Sequence, residues 1–392
     1  MSDENVVSVA IACYRNYEHL FEAINSVLIQ DYPYIELIVS DDGSADFPKE
    51  IFEAYISENK SDNIVNTVVR TETKNVGTVK HFNHLIDCCS GHYLVFLAAD
   101  DCLYDSGVIS KYVEGIQTAG EDALIVMAQT GMYDVTMTDL DYYFLRPHVR
   151  SLLEQKKSKE LYESLLLYPF LPTTSTFFKR EFFDVLGKFD ENYLLIEDVP
   201  LHFEITKHGL PIHYENFVAT KHRHGGISHG QKKTLSKSKA NYLRDCVNIS
   251  KDKMAEAKHL SLEIPKSLRE KAYIENCWRE HSLAFEIENA KLSHKIIAIL
   301  KHPYYIIVNR WLRSRSVSFN RLFKLFFTVG LALVIGANLL ASSFDPVFMP
   351  VLLLLNKLSI GICLLAGILY IVFLICKIFE SISNFDDTRL DF

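Results

Sequence analysis

Two stretches decide the fold: Ile35-Glu36-Leu37-Ile38-Val39-Ser40-Asp41-Asp42-Gly43-Ser44 and Tyr93-Leu94-Val95-Phe96-Leu97-Ala98-Ala99-Asp100-Asp101. Each is a short, β-branched and aromatic apolar run that ends abruptly in paired aspartates. Runs of that length without polar alternation suit strands covered on both faces, as in a parallel sheet. A third acidic pair, Glu197-Asp198, follows later in the chain. In an open α/β sheet the carboxyl ends of the strands line the ligand crevice, so carboxylates placed there converge on one site. Such a cluster repels itself unless a cation sits within it. Mg²⁺, which takes one or two carboxylates together with substrate phosphates, is the natural candidate. The alternative for any one cluster is helix capping and turn formation. Three clusters in this order outweigh that alternative.

Working outward, Val6 to Ile11 reads as a buried strand and Tyr17 to Ile29 as a helix. Ile64 to Val69 is a further strand, and Val79 to Cys89 a helix exposing Lys80 and Asn83. Ala123 to Ala128 and Thr173 to Phe178 read as strands, whereas Leu152 to Leu167, Arg180 to Leu186 and Glu197 to His208 read as helices. Strands alternating with helices imply a mostly parallel, doubly wound sheet with right-handed crossovers. From Gln231 to Ser293 the composition is charged and helix-rich.

The 392 residues carry a formal net charge of -8, which gives no footing for a nucleic-acid partner. Residues 325–344 and 358–376 are free of charged residues. Each matches a membrane-spanning helix, which needs about 20 apolar residues. Arg310, Arg313, Arg315, Arg321 and Lys324 precede the first stretch and Lys377 follows the second; Lys357 lies between them. The positive-inside rule then predicts a hairpin with both ends cytoplasmic. Residues 296–311, ending in Trp311, suit a helix in the membrane interface. The acidic Met1-Ser2-Asp3-Glu4-Asn5 start predicts no secretory signal. The expected localisation is the inner (plasma) membrane, multi-pass, with the catalytic domain and C-terminus in the cytoplasm. The eight cysteines, among them Cys13, Cys88, Cys89, Cys102, Cys363 and Cys376, show no paired zinc spacing and read as small apolar residues.

At this point the residues resemble a known family, the inverting family-2 glycosyltransferases of the GT-A fold, over roughly Val6 to Gly230. Val7-Ser8-Val9-Ala10-Ile11-Ala12-Cys13-Tyr14 is similar to the family's opening strand, with Ala12-Cys13 in place of the usual Pro-Thr. Asp41-Asp42-Gly43-Ser44 matches its second-strand motif, and Lys74-Asn75-Val76-Gly77 followed by Asn83 matches its Asn-x-Gly loop. Gly187-Lys188-Phe189-Asp190-Glu191 followed by Glu197-Asp198 is similar to its acceptor-side signature.

The resemblance implies a GT-A domain at 1–230; composition and charge add a helical and interfacial region at 231–321, two membrane helices within 322–377 and a cytoplasmic tail at 378–392. It implies donor contacts from Ala12, Tyr14, Asp41, Asp42, Asn75, Gly77, Lys80, Ala99 and Asp101. Tyr14 stacks on the base or is a packed aromatic; Lys80 reaches a phosphate or is a solvated helix charge. Where the family shows Asp-x-Asp, this chain has Ala98-Ala99-Asp100, so the first carboxylate is missing. Mg²⁺ or Mn²⁺ is expected on Asp100 with Asp101, and His222 or His224 of His222-Arg223-His224 completes the site. Asp198 is the expected base, with Glu197 beside it. The implied reaction takes a nucleotide-diphosphate sugar to a lipid-linked saccharide acceptor. The rival readings are a polyprenyl-phosphate sugar transferase and a non-catalytic nucleotide-sugar-binding or scaffold subunit. Phe189-Asp190-Glu191 favours a saccharide acceptor over a bare lipid phosphate, and Cys277-Trp278-Arg279 does not match the Gln-x-x-Arg-Trp motif of processive synthases.

Overall fold

The computed structural model describes residues 5–167, 171–225, 236–260 and scattered positions between 276 and 371. The chain divides into two compact units, Met1–Ile264 and Pro265–Phe392. In the first, a nine-stranded sheet runs in the order β3-β2-β1-β4-β8-β6-β9-β5, with β7 paired to β6. The strands are β1 (Val7–Cys13), β2 (Ile35–Asp41), β3 (Ile64–Thr71), β4 (Tyr93–Ala98), β5 (Cys102–Leu103), β6 (Ile125–Tyr133), β7 (Leu140–Tyr143), β8 (Thr176–Lys179) and β9 (His213–Arg223). β3, β2, β1 and β4 are mutually parallel, and β6 and β9 are parallel to each other; β8, β7 and β5 pair antiparallel to their neighbours. The expected mostly parallel sheet is therefore present, with antiparallel strands inserted in its second half.

Helices cover both faces, which explains the unbroken apolar runs. In β4, Val95 and Leu97 face one core with α1 (Leu20–Leu28), α2 (Lys49–Asn59) and α4 (Val108–Ala119). Leu94 and Phe96 face the other, with α3 (Thr78–Cys88), α5 (Pro147–Glu154), α6 (Ser158–Leu167), α7 (Glu181–Leu186) and α8 (Asp198–Lys207). Phe96 sits among Phe82, Phe183 and Phe189 at ring separations of 5.4, 6.2 and 5.8 Å. Such pairs are worth about 0.5–1.5 kcal/mol each beyond the area they bury.

Three expectations are corrected. The single helix expected over Leu152–Leu167 is two helices, because Lys156 adopts a φ of 53° and its N–H closes back on the Leu153 carbonyl, a left-handed C-terminal stop. Asn83 is buried rather than exposed: its amide donates to the Phe189 carbonyl at 2.9 Å and accepts from the Phe189 N–H at 3.0 Å. The strand β9 was not anticipated, since its sequence mixes Glu215, Asn216, Lys221 and His222 with apolar residues and does not alternate.

The helix α9 (Lys237–His259), which the sequence places in a separate helical region, lies in the first unit; its N-terminus is capped by Ser236, whose hydroxyl accepts from the Lys239 N–H at 3.1 Å. Among the described residues no helix is long and apolar enough to cross a membrane. Most of the expected span at 325–344 and of the interfacial segment 296–311, and part of the expected span at 358–376, lie outside the described residues.

Candidate active site

The parallel half of the sheet places three of the sequence motifs on one edge. β1 lies between β2 and β4, so Cys13 is level with Asp41 and Ala12 with Ala98. Beyond the strands the pairing continues: the Asp42 N–H donates to the Cys13 carbonyl at 2.8 Å, and the Ala99 N–H to the Ala12 carbonyl at 2.9 Å. Because successive strands leave β1 in opposite directions here, this is the switch point at which open α/β sheets bind ligands.

The first acidic motif is turned inward. Asp41 is wholly buried and accepts from the Ser44 N–H and hydroxyl, each at 2.6 Å, and from the Thr71 hydroxyl at 2.7 Å. Asp42 is also buried and accepts from the Asn75 amide, the Val76 N–H and the Gly77 N–H at 2.9, 2.8 and 3.0 Å. Burial raises the Asp42 carboxyl, and those backbone N–H groups offset it in part. These two carboxylates thus shape the loops that border the crevice, with their acceptor positions taken by the chain itself. Lys80 and Asn75 are exposed, Ala99 is buried, and Tyr14 is half-buried with the Arg15 guanidinium 5.1 Å from its ring centre.

Two glycines are required by close approach. Gly43, at φ 72°, carries no Cβ where one would meet the Lys74 backbone carbon at 2.2 Å. Gly77, at φ 94°, leaves room for Leu194, whose Cδ1 would stand 2.4 Å from a Cβ. The neighbour that Gly77 admits is Leu194, just before Glu197-Asp198. A Gly77→Ala change combines that clash with a backbone conformation glycine alone adopts easily. It is expected to cost about 1–3 kcal/mol of stability, read as a lower midpoint in chemical denaturation of the full chain. An unchanged midpoint would show that the loop yields.

The second motif divides its roles. Asp101 is wholly buried; it accepts from the His222 Nδ1 at 2.9 Å and from the Arg223 N–H at 3.2 Å. It therefore fixes the orientation of His222 and leaves the ring's other nitrogen available, the arrangement seen behind metal-bound histidines. Burial by itself would lower the His222 pKa, but the Asp101 charge and hydrogen bond lift it to about 8. Asp100 is half-buried, and burial followed by the Asp101 charge raises its carboxyl. His224 turns to Asp141, at 3.3 Å, with its ring 6.0 Å from Tyr142, so it stands with the β7 strand and not with Asp101.

Arg223 was not singled out from the sequence, yet it holds this corner together. Only 4% exposed, it donates to the Asp100 carbonyl at 3.1 Å and to Glu22 at 2.7 Å, and also to the Val135 carbonyl. Its signal in the sequence was adjacency to His222; what concealed it was the unrecognised strand.

Glu197 and Asp198 open α8 but do not cap it. Glu197 occupies the cap position without a side-chain cap bond, and Asp198 accepts from the adjacent Val199 N–H at 2.7 Å. Both are half-buried. Burial raises both carboxyls, and the neighbouring Asp198 charge raises Glu197 further. They reach the crevice edge through Leu194, whose carbonyl accepts from the Val79 N–H at 3.2 Å, one step from the Gly77 that Asp42 anchors. The acceptor-side signature is tied to the same helix, since Asn83 of α3 also donates to Glu191 at 3.0 Å.

The profile of glycosyl transferase family 2 matches residues 8–187. Glycosyltransferase GlyG of Streptococcus pneumoniae is 30% identical over 139 residues, 36% of this chain and 43% of that protein. The amylovoran biosynthesis glycosyltransferase AmsB of Erwinia amylovora is 29% identical over 205 residues, 52% of this chain and 64% of that protein. The chain thus covers less than two thirds of either relative, 43% and 64% of their lengths. Among solved structures, S. aureus TarS 1-349 in complex with UDP-GlcNAc aligns with a TM-score of 0.46 at 15% identity, covering 77% of this chain and 80% of that one. The α/β domain at residues 8–187, whose strand ends carry the Asp41-Asp42 and Asp100-Asp101 motifs, is thus the part of the chain that matches glycosyl transferase family 2.

Proposed function

We propose that the protein is an inverting glycosyltransferase that moves a sugar from a nucleoside-diphosphate sugar to an acceptor hydroxyl. The observation that carries this reading is the Glu197-Asp198 pair. It is half-buried, raised above the usual carboxylate range and free of capping duty at the open end of the sheet. Asp198 takes the acceptor proton as the acceptor oxygen bonds to the anomeric carbon. The bond from that carbon to the diphosphate breaks, and the diphosphate leaves with the electron pair. One displacement inverts the anomeric configuration.

Among the described residues no three ligating side chains cluster, so a divalent cation would rest on two side chains together with the donor phosphates. Asp100 is a desolvated carboxyl beside a second buried aspartate, and His222 is pre-oriented by that aspartate. Asp100 and His222 are the side chains that would hold Mg²⁺ or Mn²⁺, with Asp101 acting through His222. Such an ion, when bound, offsets the charge of the leaving diphosphate. The likeness to AmsB, named for amylovoran biosynthesis, supports a saccharide acceptor. The uncharged stretches at 325–344 and 358–376 support a membrane hairpin, with the catalytic domain on the cytoplasmic side and a lipid-linked acceptor nearby.

The test is turnover by the purified full-length chain, given a panel of nucleotide sugars, Mn²⁺ or Mg²⁺, and lipid-linked saccharides or bare polyprenyl phosphate. Transfer to a saccharide is the expected result. Transfer only to polyprenyl phosphate would reassign the acceptor, and donor binding without any turnover would overturn the catalytic reading.

The pH profile carries its own prediction. A base works only when deprotonated, and a raised pKa delays deprotonation to higher pH. The acid limb of kcat/KM is therefore expected above the usual carboxylate range of about pH 4. A profile flat down to about pH 4 would place the base elsewhere.

A further inference from the structure

We infer that Asp245, on α9 and outside the matched family domain, is a positioning residue for Asp198; the inference rests on the proposed glycosyl transfer. Residues 194–196 form the turn that delivers Glu197 and Asp198. The N–H groups of Leu194, Leu195 and Ile196 converge on one Asp245 oxygen, at 2.9, 2.6 and 3.3 Å. Asp245 is 5% exposed. Successive N–H groups pointing at one anion form a nest, a concavity that holds negative charge by fixed dipoles. Here the anion belongs to the protein itself, so the nest works as a clamp on the backbone.

The same turn is held from its other side. The Val79 N–H donates to the Leu194 carbonyl at 3.2 Å, and Leu194 fills the space over Gly77. Tyr193 donates to Asp252, also on α9, at 2.6 Å. Since α8 has no side-chain cap, the direction in which Glu197 and Asp198 leave the turn depends on these restraints. A base displaced by about 1 Å loses on the order of 10²-fold in rate. The Asp245 carboxylate is the restraint that engages all three amides directly before the pair.

The test uses the full-length chain with Asp245→Ala and Asp245→Asn, each alone and combined with Asp198→Asn. Asp245→Ala is expected to lower kcat by about 10²-fold while leaving donor affinity unchanged. Hydrogen exchange should accelerate in the peptide spanning residues 194–196. Asp245→Asn, which keeps an oxygen at the nest, should restore part of the rate and of the protection. Added to Asp198→Asn, neither change should lower transfer further, because the residue acts through a base already removed.

Unaltered exchange at residues 194–196, unaltered kcat, or a full additional loss in the Asp198→Asn background would each overturn the inference. If Asp245→Ala does not fold, Asp245→Asn decides by the same readouts. If the wild-type chain transfers no sugar, the glycosyl-transfer reading fails separately, and the inference that rests on it fails with it; the exchange measurement then decides only whether Asp245 holds the turn.

Discussion

Asp198→Asn is expected to lower glycosyl transfer by about 10²-fold or more while donor affinity stays close to that of the wild type. Asparagine preserves the size of the side chain and can still accept from the Val199 N–H, as the Asp198 carboxylate does. What it loses is basicity. Folding should not suffer, because the carboxyl is already desolvated and a neutral amide is easier to bury there. Transfer rate and donor affinity measured on the same preparation separate the possibilities. Were Asp198 merely a helix-starting residue, asparagine would serve equally and activity would persist. Near-normal transfer would move the base to Glu197.

Asp100→Asn is expected to abolish turnover and to weaken nucleoside-diphosphate binding in the presence of Mn²⁺. The same substitution should leave thermal stability unchanged or raised, because Asp100 is held beside the wholly buried Asp101 at a cost in repulsion and desolvation. Opposite signs for stability and activity would mark a group kept for its chemistry. Two results would count against the assignment: full activity in the presence of a chelator, or a stable Asp100→Asn protein with wild-type turnover.

The parallel half of the sheet was legible because its strands are covered on both faces and so read as continuous apolar runs ending in aspartates. In the second half β6 and β8 were marked by Ala123–Ala128 and Thr173–Phe178, but β9 was not. β9 is edged by the two-residue β5 and carries polar residues through its middle, so nothing in its spacing separates it from a loop. With the strand unseen, Arg223 could not be placed and His222 could be named only by motif. The acidic motifs were legible as positions, whereas their hydrogen-bond partners were not. Asp41, Asp42 and Asp101 all point inward to N–H and O–H donors of the chain, and only the backbone path shows that. Asn83 looked solvated because its partner, Phe189, lies 106 residues away in sequence.

The family profile ends at residue 187, before Glu197, Asp198, His222 and Asp245. The matched segment therefore carries the Asp41-Asp42 and Asp100-Asp101 strand ends, while the residues proposed as base, histidine ligand and positioning group lie beyond it. Mutation can remodel that later stretch without erasing the ancestry written in the earlier one. Two descendants could keep the same recognisable domain and diverge in what they glycosylate, or one could lose its base and persist as a binder of nucleotide sugars. The segment that identifies the fold and the segment proposed to select the acceptor are thus separate lengths of one chain.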